Sequence, residues 1–517
     1  MATFQVYYLR ILVAIFLFIL ILVHIFKRYK KQREEYVYSV KNGCQPARSW
    51  NSRWPLGLDM ILRARHHGKD HSALRFLLQL FDESGTTFEQ TLLGARSLNT
   101  IDPDNIQTIL SGSFEDWNLG FREPSFHPLL GSGIFTQDGA TWKQSRHLLR
   151  PHFALTRART FERIQLCVDR LLASIPRDGS VVDLKPLFLH LTFQTTMFLL
   201  FGEDSNNIDT PQSDFASAFQ TAQDYLPPRV RLGKFYWAVD DKSFRSACRT
   251  CHEFIDQGVD RALQKLASGK ITGEDECPSF VESLMGRTQD RRILRDQCLN
   301  MLLAGRDTTA CCLSWTLNQS ALGRLRQEVE EVCGLGPDAE RPSREAVKHM
   351  KYLHYVIKES LRLYPSVPVN SRTATRTTTL PAGGGPDGRA PVLVRQGEAV
   401  RYSVYAMHRR RDIYGDDADE FRPGRWEHGG LRDVGWGYLP FNGGPRLCLG
   451  QEFALLEIAY TVCRLIQVLP KIGPAGDDAG ITLGMEKQEL SLVLSALDGC
   501  CVSLDANPYA ENAVYMP

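Results

Sequence analysis

Three features of the 517-residue chain predict a mainly α protein with small β-sheets, one folded domain behind an N-terminal transmembrane helix. One apolar run near the N-terminus ends in a basic cluster. From about residue 60 to 370, apolar side chains recur at three- and four-residue spacing. Between about 374 and 406 the texture changes to Thr, Val and Gly. Lys and Arg number 61 against 59 Asp and Glu, a net charge of +2, so no basic field marks a nucleic-acid partner. At 43% hydrophobic and 23% charged the composition is globular, which excludes disorder, collagen and coiled coil as overall descriptions. The 13 Cys are odd in number and lack a framework spacing, as expected of reduced thiols facing a cytosol-like compartment.

The elements follow in order. From Val6 to Phe26 only Arg10 and His24 are strongly polar. At ~1.5 Å per residue this run reaches roughly 30 Å, the depth of a bilayer's hydrocarbon core. Lys27, Arg28, Lys30, Lys31 and Arg33 follow with no acid before Glu34, which leaves the rest of the chain on the cytosolic side. A cleaved signal peptide would end in a small-x-small site, whereas this run ends in aromatic and basic residues. The expected division is 1–33 anchor and basic flank, 34–58 linker with a Pro/Gly turn at Ser52 to Gly57, and 59–517 the folded domain. Within that domain Phe161, Ile164, Val168, Leu171 and Leu172 mark a helix face. Thr377 to Pro381 and Pro391 to Val394, around the Gly383–Gly388 turn cluster, predict a hairpin. A last helix is predicted from near Leu449, and Leu490 to Leu504 returns to strand-like alternation. Asn318-Gln-Ser320 fits a glycosylation sequon but lies in a predicted cytosolic helix, so it reads as accidental.

One cysteine has a chemical context: Phe441-Asn-Gly-Gly-Pro-Arg-Leu-Cys-Leu-Gly450. Gly443 and Gly444 can take backbone angles closed to other residues, and Gly450 lets the chain approach a flat ligand. The good helix formers from Glu452 to Ala459 place Cys448 near a helix N-terminus, where unpaired N–H groups favour thiolate. Arg446 offers a charge-assisted contact to a carboxylate. Such a loop suits a thiolate held against a metal macrocycle. The adjacent pairs Cys311-Cys312 and Cys500-Cys501 lack companion ligand spacing and read as core.

Phe441-x-x-Gly444-x-Arg446-x-Cys448-x-Gly450 resembles the haem-binding loop of the cytochrome P-450 superfamily, whose iron takes a Cys axial ligand. Within it, Gly383–Gly388, Met407-His-Arg-Arg410 and Phe421 to Trp426 look like the fungal branch that oxidises alkanes and fatty acids. The resemblance covers the chain from the anchor to the final hairpin. It implies the cytochrome P-450 fold, a triangular helical prism, around haem b (iron protoporphyrin IX) with Cys448 as axial ligand. The haem should be non-covalent, because Ala304 stands where some relatives carry an esterifying Glu. No G-x-G-x-x-G follows a strand, so electrons are expected from NADPH through a separate flavoprotein, an NADPH-cytochrome reductase docking near Lys143 and Arg150. The implied location is the endoplasmic reticulum membrane, single-pass, with the catalytic domain facing the cytosol.

The implied reaction inserts one atom of O2 into a hydrophobic substrate, hydroxylating an aliphatic chain of a fatty acid, alkane or polyketide-derived secondary metabolite. Substrate contacts are expected from Trp117 to Leu130, Leu302 to Ala304, Val367 to Val369 and Ser495 to Leu497. Asp307 and Thr308, in Ala304-Gly-Arg-Asp-Thr-Thr309, match the oxygen-activating segment, although a helical Thr commonly just bonds back one turn. Gly305 would open the helix to a ligand. Glu359 and Arg362, three apart on one helix face, are expected to lock with Arg425 as a structural triad; Gly424 stands where the family usually has an acid. Trp142 and Arg146, four apart on one helix side, are assigned with Arg446 and Arg372 to the haem propionates; Phe441, Gly444 and Gly450 shape the loop. Two alternatives stay open. A haem-thiolate isomerase or dehydratase typically lacks the Thr present at 308, and a non-catalytic haem-binding membrane protein predicts that Thr308→Ala leaves biological output intact.

Overall fold

The computed structural model describes residues 2–50, 54–155, 157–176, 180–202, 212–268, 279–317, 322–475 and 486–504, without the side chains of 2–11, 13, 152, 154–155, 157–159 and 212–213. The Asn318–Ser320 sequon lies outside these residues, as do residues 51–53 of the expected turn. Nine helices matter for the site: α1 (Ala2–Lys41), α2 (Gly139–Leu155), α3 (Arg157–Ser174), α4 (Lys185–Phe201), α5 (Gln212–Asp224), α6 (Lys242–Ala267), α7 (Arg291–Leu317), α8 (Lys351–Leu363) and α9 (Gln451–Val468). Against this helical body sit small sheets, so the mainly α expectation holds.

Helix α1 is continuous past residue 33. Its described apolar side chains between Leu12 and Phe26 are exposed, whereas Glu35 is buried and pairs with Arg395 at 3.1 Å. The expected linker, 34–58, thus includes the last turns of a helix fastened to the body. It also carries a strand that joins a sheet. Among the described residues no helix is long and apolar enough to cross a membrane. Much of the expected Val6–Phe26 span lies where side chains are not described, and the described remainder runs directly into Lys27 and Arg28.

Helix α7 passes through the middle of the body, packed along α4 and flanked by α6, α8 and α9. Leu313, Leu317, Ile357, Leu361, Ile458, Val462 and Leu465 bury a shared apolar core between α7, α8 and α9. Gly305 on α7 is where the two long helices meet. A Cβ there would stand 2.6 Å from Thr196 Oγ1 on α4. Its missing side chain makes room for a neighbouring helix, which corrects the expectation of a ligand contact.

The main sheet contains β1 (Arg48–Ser49), β2 (Thr87–Leu92), β3 (Ala95–Thr100) and β4 (Trp117–Asn118), completed by β6 (Val369–Ala374) and β9 (Ala399–Ser403) in the order β1-β2-β3-β9-β6-β4. Outside it lie β5 (Val182–Asp183), the hairpin β7 (Thr378–Gly384) with β8 (Ala390–Val394), β10 (Gly473–Pro474), the hairpin β11 (Gln488–Leu490) with β12 (Leu494–Ala496), and β13 (Cys501–Ser503). The β7–β8 hairpin lies where the Thr/Val/Gly texture predicts it. The β2–β3 hairpin falls inside the stretch read as helical. Its two-residue turn, Leu93-Gly94, has φ of 49° and 78°, the paired positive φ that matches strand twist. Leu at the first turn position gives no sequence signal for such a turn.

Candidate functional site

The Cys448 loop is built before any ligand is considered. Gly443 and Gly444 enter a short turn ahead of α9, and Gly444 has φ 64°. A Cβ there would sit 2.0 Å from the Leu110 carbonyl oxygen, so only glycine fits. The Cys448 N–H donates to the Phe441 carbonyl at 3.0 Å, closing the loop three residues before α9 begins. At Gly450 an added Cβ would meet only Phe153, at 3.7 Å. Phe441 packs on the main core.

Cys448 is surface-accessible, yet enough protein surrounds its thiol for burial to raise its pKa. Both are true of a side chain on the floor of an internal hollow. The Gly450 N–H and the Arg146 charge favour thiolate, as the loop sequence implies, but burial outweighs them in the bare protein. A bound metal cation reverses that balance, since a coordinated thiol is deprotonated.

Around this floor stands a cluster of arginines drawn from four parts of the chain. Arg446 stacks on the buried Trp142 ring at 4.4 Å and donates to Asp138 Oδ1 at 2.6 Å. Arg146, one turn along α2 from Trp142, donates to the Leu447 carbonyl at 2.9 Å. Arg372 on β6 is buried, with bonds to Asn370 Oδ1 at 3.1 Å and the Ser371 carbonyl at 2.7 Å. Arg122 shares Asn370 Oδ1, at 2.5 Å. Burial first, then the charge of Arg372, pulls the Arg446 guanidinium down to about 9 and that of Arg122 to about 10. Among the described residues, Asp138 is the acid set against them.

These features fit a haem. A flat group needs the clearance at Gly450, an iron needs the thiol on the floor, and two propionates need positive charge that the protein leaves undercompensated. The structure brings Trp142, Arg146, Arg372 and Arg446 together as the expected set. It adds Arg122 and Asp138, which the sequence does not reveal: the resemblance places Arg122 only within a substrate loop, and neither residue stands in a recognisable spacing. Arg446 is also not free, because Asp138 already holds one edge of its fork.

On α7 the buried Asp307 faces Arg306 at 3.3 Å, and neither Asp307 Oδ1 nor Arg306 Nη1 makes a hydrogen bond among the described residues. Burial pushes the Asp307 carboxyl above its ordinary range, against the pull of Arg306. Thr308 Oγ1 donates to the Ala304 carbonyl at 2.6 Å, and the Thr308 carbonyl accepts from Ser366 at 2.9 Å. The hydroxyl is therefore in the back-bonded state and must leave that bond to serve a proton path. Of the expected substrate residues, Val367 and Phe121 are accessible, while Ser495 is buried and bonded to Glu489.

Glu359, Arg362 and Arg425 meet behind the loop. Arg362 binds Glu359 through two nitrogens at 2.9 and 2.8 Å, and Arg425 reaches the same carboxylate at 2.8 Å. Trp426 Nε1 and the Arg422 N–H complete it, each at 2.9 Å. Asp417, 3.1 Å from Arg425, supplies the acid that Gly424 does not.

A family model described as cytochrome P450 matches residues 51–469. A protein named cytochrome P450 from Arthroderma benhamiae is 52% identical over 96% of this chain and 99% of its own length. Cytochrome P450 52A13 of Debaryomyces hansenii is 41% identical over 80% of this chain and 84% of its own. Cytochrome P450 monooxygenase fsdH of Fusarium heterosporum is 38% identical, covering 90% and 83%.

Proposed function

This chain belongs to the cytochrome P450 family, as a haem-thiolate monooxygenase supplied with electrons by a reductase, and from that premise we propose the assignments of its residues and surroundings. Cys448 is the axial ligand of haem b. Arg446, Arg146, Arg372, Arg122 and Trp142 hold its propionates, while Phe441, Gly444 and Gly450 shape the loop that seats it. The bound haem supplies O2 activation and delivery of one oxygen atom to substrate. Asp307 brings protons in from outside, and Thr308 passes them on after breaking its bond to Ala304. Glu359, Arg362 and Arg425 fix the backbone behind the loop and touch no reacting atom.

The substrate class is an aliphatic chain, a fatty acid, alkane or polyketide-derived secondary metabolite, hydroxylated in an apolar chamber. NADPH is the electron source through a flavoprotein reductase that docks near Lys143, itself paired with Glu115 at 2.9 Å, and Arg150. Residues 1–33 anchor the protein in the endoplasmic reticulum membrane with 59–517 as the cytosolic haem domain. The observation that carries the reading is an accessible thiol on a deeply placed floor ringed by undercompensated arginines. Incubation with reductase, NADPH, O2 and chains from decane to palmitate tests it. The expected result is an NADPH-dependent hydroxylated product; NADPH-independent rearrangement of a fatty-acid peroxide would point to the isomerase instead.

A further inference from the structure

The triad around Glu359 does not touch the Cys448 loop directly. Tyr414, whose carbonyl accepts from Arg425, reaches the Gly437 carbonyl, and a buried histidine reaches the next anchor, Leu439. His408 follows the short helix Val404–Met407 and is fully buried. Its Nδ1 lies 3.0 Å from the Arg362 carbonyl, while the Arg362 guanidinium returns a bond to the His408 carbonyl at 2.8 Å. On its other edge His408 Nε2 accepts the Leu439 N–H at 2.9 Å. A carbonyl on one side requires a proton on Nδ1, and an N–H on the other requires a lone pair on Nε2. The two partners therefore fix one neutral tautomer. Tyr438 stacks on the ring at 5.1 Å between centroids and also abuts Trp426, which donates to Glu359.

Leu439 opens the loop. Its carbonyl accepts the Asn442 N–H at 3.2 Å, and Phe441 accepts the N–H of Cys448. Asn442 is held at φ 63° by Tyr402, at 3.2 Å, and by the Arg446 carbonyl, at 3.3 Å. Just upstream, Tyr414 Oη donates to the Gly437 carbonyl at 2.8 Å and Tyr438 Oη to the Lys358 carbonyl at 3.0 Å, so the His408 bond is the anchor on Leu439 itself, the residue that starts the turn.

We propose that His408 is a positioning residue that transmits the rigidity of the Glu359–Arg362–Arg425 network to the Cys448 loop through its bond with the Leu439 N–H. The inference rests on Cys448 being the haem ligand. It separates the two edges of the ring, so the substitutions can be matched to them. Gln places an acceptor near Nε2 and can keep the Leu439 bond, Asn places a donor near Nδ1 and cannot reach Leu439, and Ala removes both.

The test compares His408→Gln, His408→Asn and His408→Ala haem-loaded proteins by hydrogen exchange of 437–450 and by the thiolate-type Soret band of the reduced carbon monoxide complex. In the Ala and Asn variants, exchange at 437–450 should rise about tenfold with 351–363 little changed, and less than half of the bound haem should keep the thiolate band. His408→Gln should restore both towards the wild type. Wild-type exchange and an unchanged band in His408→Ala would overturn the proposal. So would losses of equal size in all three variants spread over the whole chain, which would mean bulk packing only. Failure of the ligand assignment is a different result: no thiolate band in the haem-loaded wild type, with the exchange pattern still readable.

Discussion

Two charged clusters serve the Cys448 loop, one beside it and one a buried side chain away, and they are built in opposite ways. Around Glu359, the Arg362 guanidinium bonds through every nitrogen, to Glu359 and to the carbonyls of His408, Ala418 and Glu420. Around Arg446, positive charge drawn from four segments exceeds the acid set against it. The first cluster is closed, and nothing is gained by adding a ligand. The second is unfavourable by itself and improves when an anion arrives. A saturated buried network stabilises a fold, while an undercompensated one marks where something else binds.

The contrast can be broken most violently at its closed end. Glu359→Gln leaves the buried Arg362 guanidinium without a counter-ion and Arg425 with Asp417 alone, which should cost about 3–5 kcal/mol and abolish most folded protein in a chemical-denaturation series. A smaller loss would mean that the carbonyl partners alone sustain the arginines.

Glu457 on α9 sharpens the comparison, because it is buried without an ion partner. Thr195 donates to one oxygen at 2.5 Å, and the other has no hydrogen bond among the described residues. Burial pushes its carboxyl up to about 8. A folded pKa raised above the unfolded value favours the protonated native state, so its contribution is full below about pH 4.5 and is lost as pH rises through about 8. Glu457→Gln should therefore unfold at the same midpoint as wild type in acid and be more stable above pH 8, by a few kcal/mol at most.

At the open end the signs divide. Arg372→Met should leave the thermal midpoint of the apoprotein unchanged or raised, since a charge beside Arg122 and Arg446 is gone. Haem retention should fall about tenfold, the worth of one charge-assisted bond, measured as haem transfer to an excess of apo-globin. The smallest stability effect belongs to Thr308→Ala, whose hydroxyl, among the described residues, bonds only within its own helix. Its midpoint should move by less than about 0.5 kcal/mol, while product formed per NADPH consumed drops several-fold.

Legibility in the sequence follows the same division. The Cys448 loop was readable because its glycines, proline and arginine sit at fixed offsets in one short stretch. Glu359, Arg362 and Arg425 came from resemblance; their spacing alone suggested only an exposed pair. Arg122 and Asp138 left no trace, because the arginine cluster exists only where an early helix, the start of α2 and β6 converge in space. Gly305 misled for a related reason: a missing side chain shows that something comes close, and here Thr196 of α4 does. The β2–β3 hairpin was hidden by Leu93 at a turn position where Asn or Asp would have announced it.

The thiol on the floor of the hollow is tested most directly by the spectrum of the reduced, haem-loaded protein under carbon monoxide, beside Cys448→Ser. The expected outcome is a thiolate-type Soret band in the native protein that vanishes in the variant. A haem-loaded native protein without that band, or a Cys448→Ser protein that keeps it, would contradict the assignment.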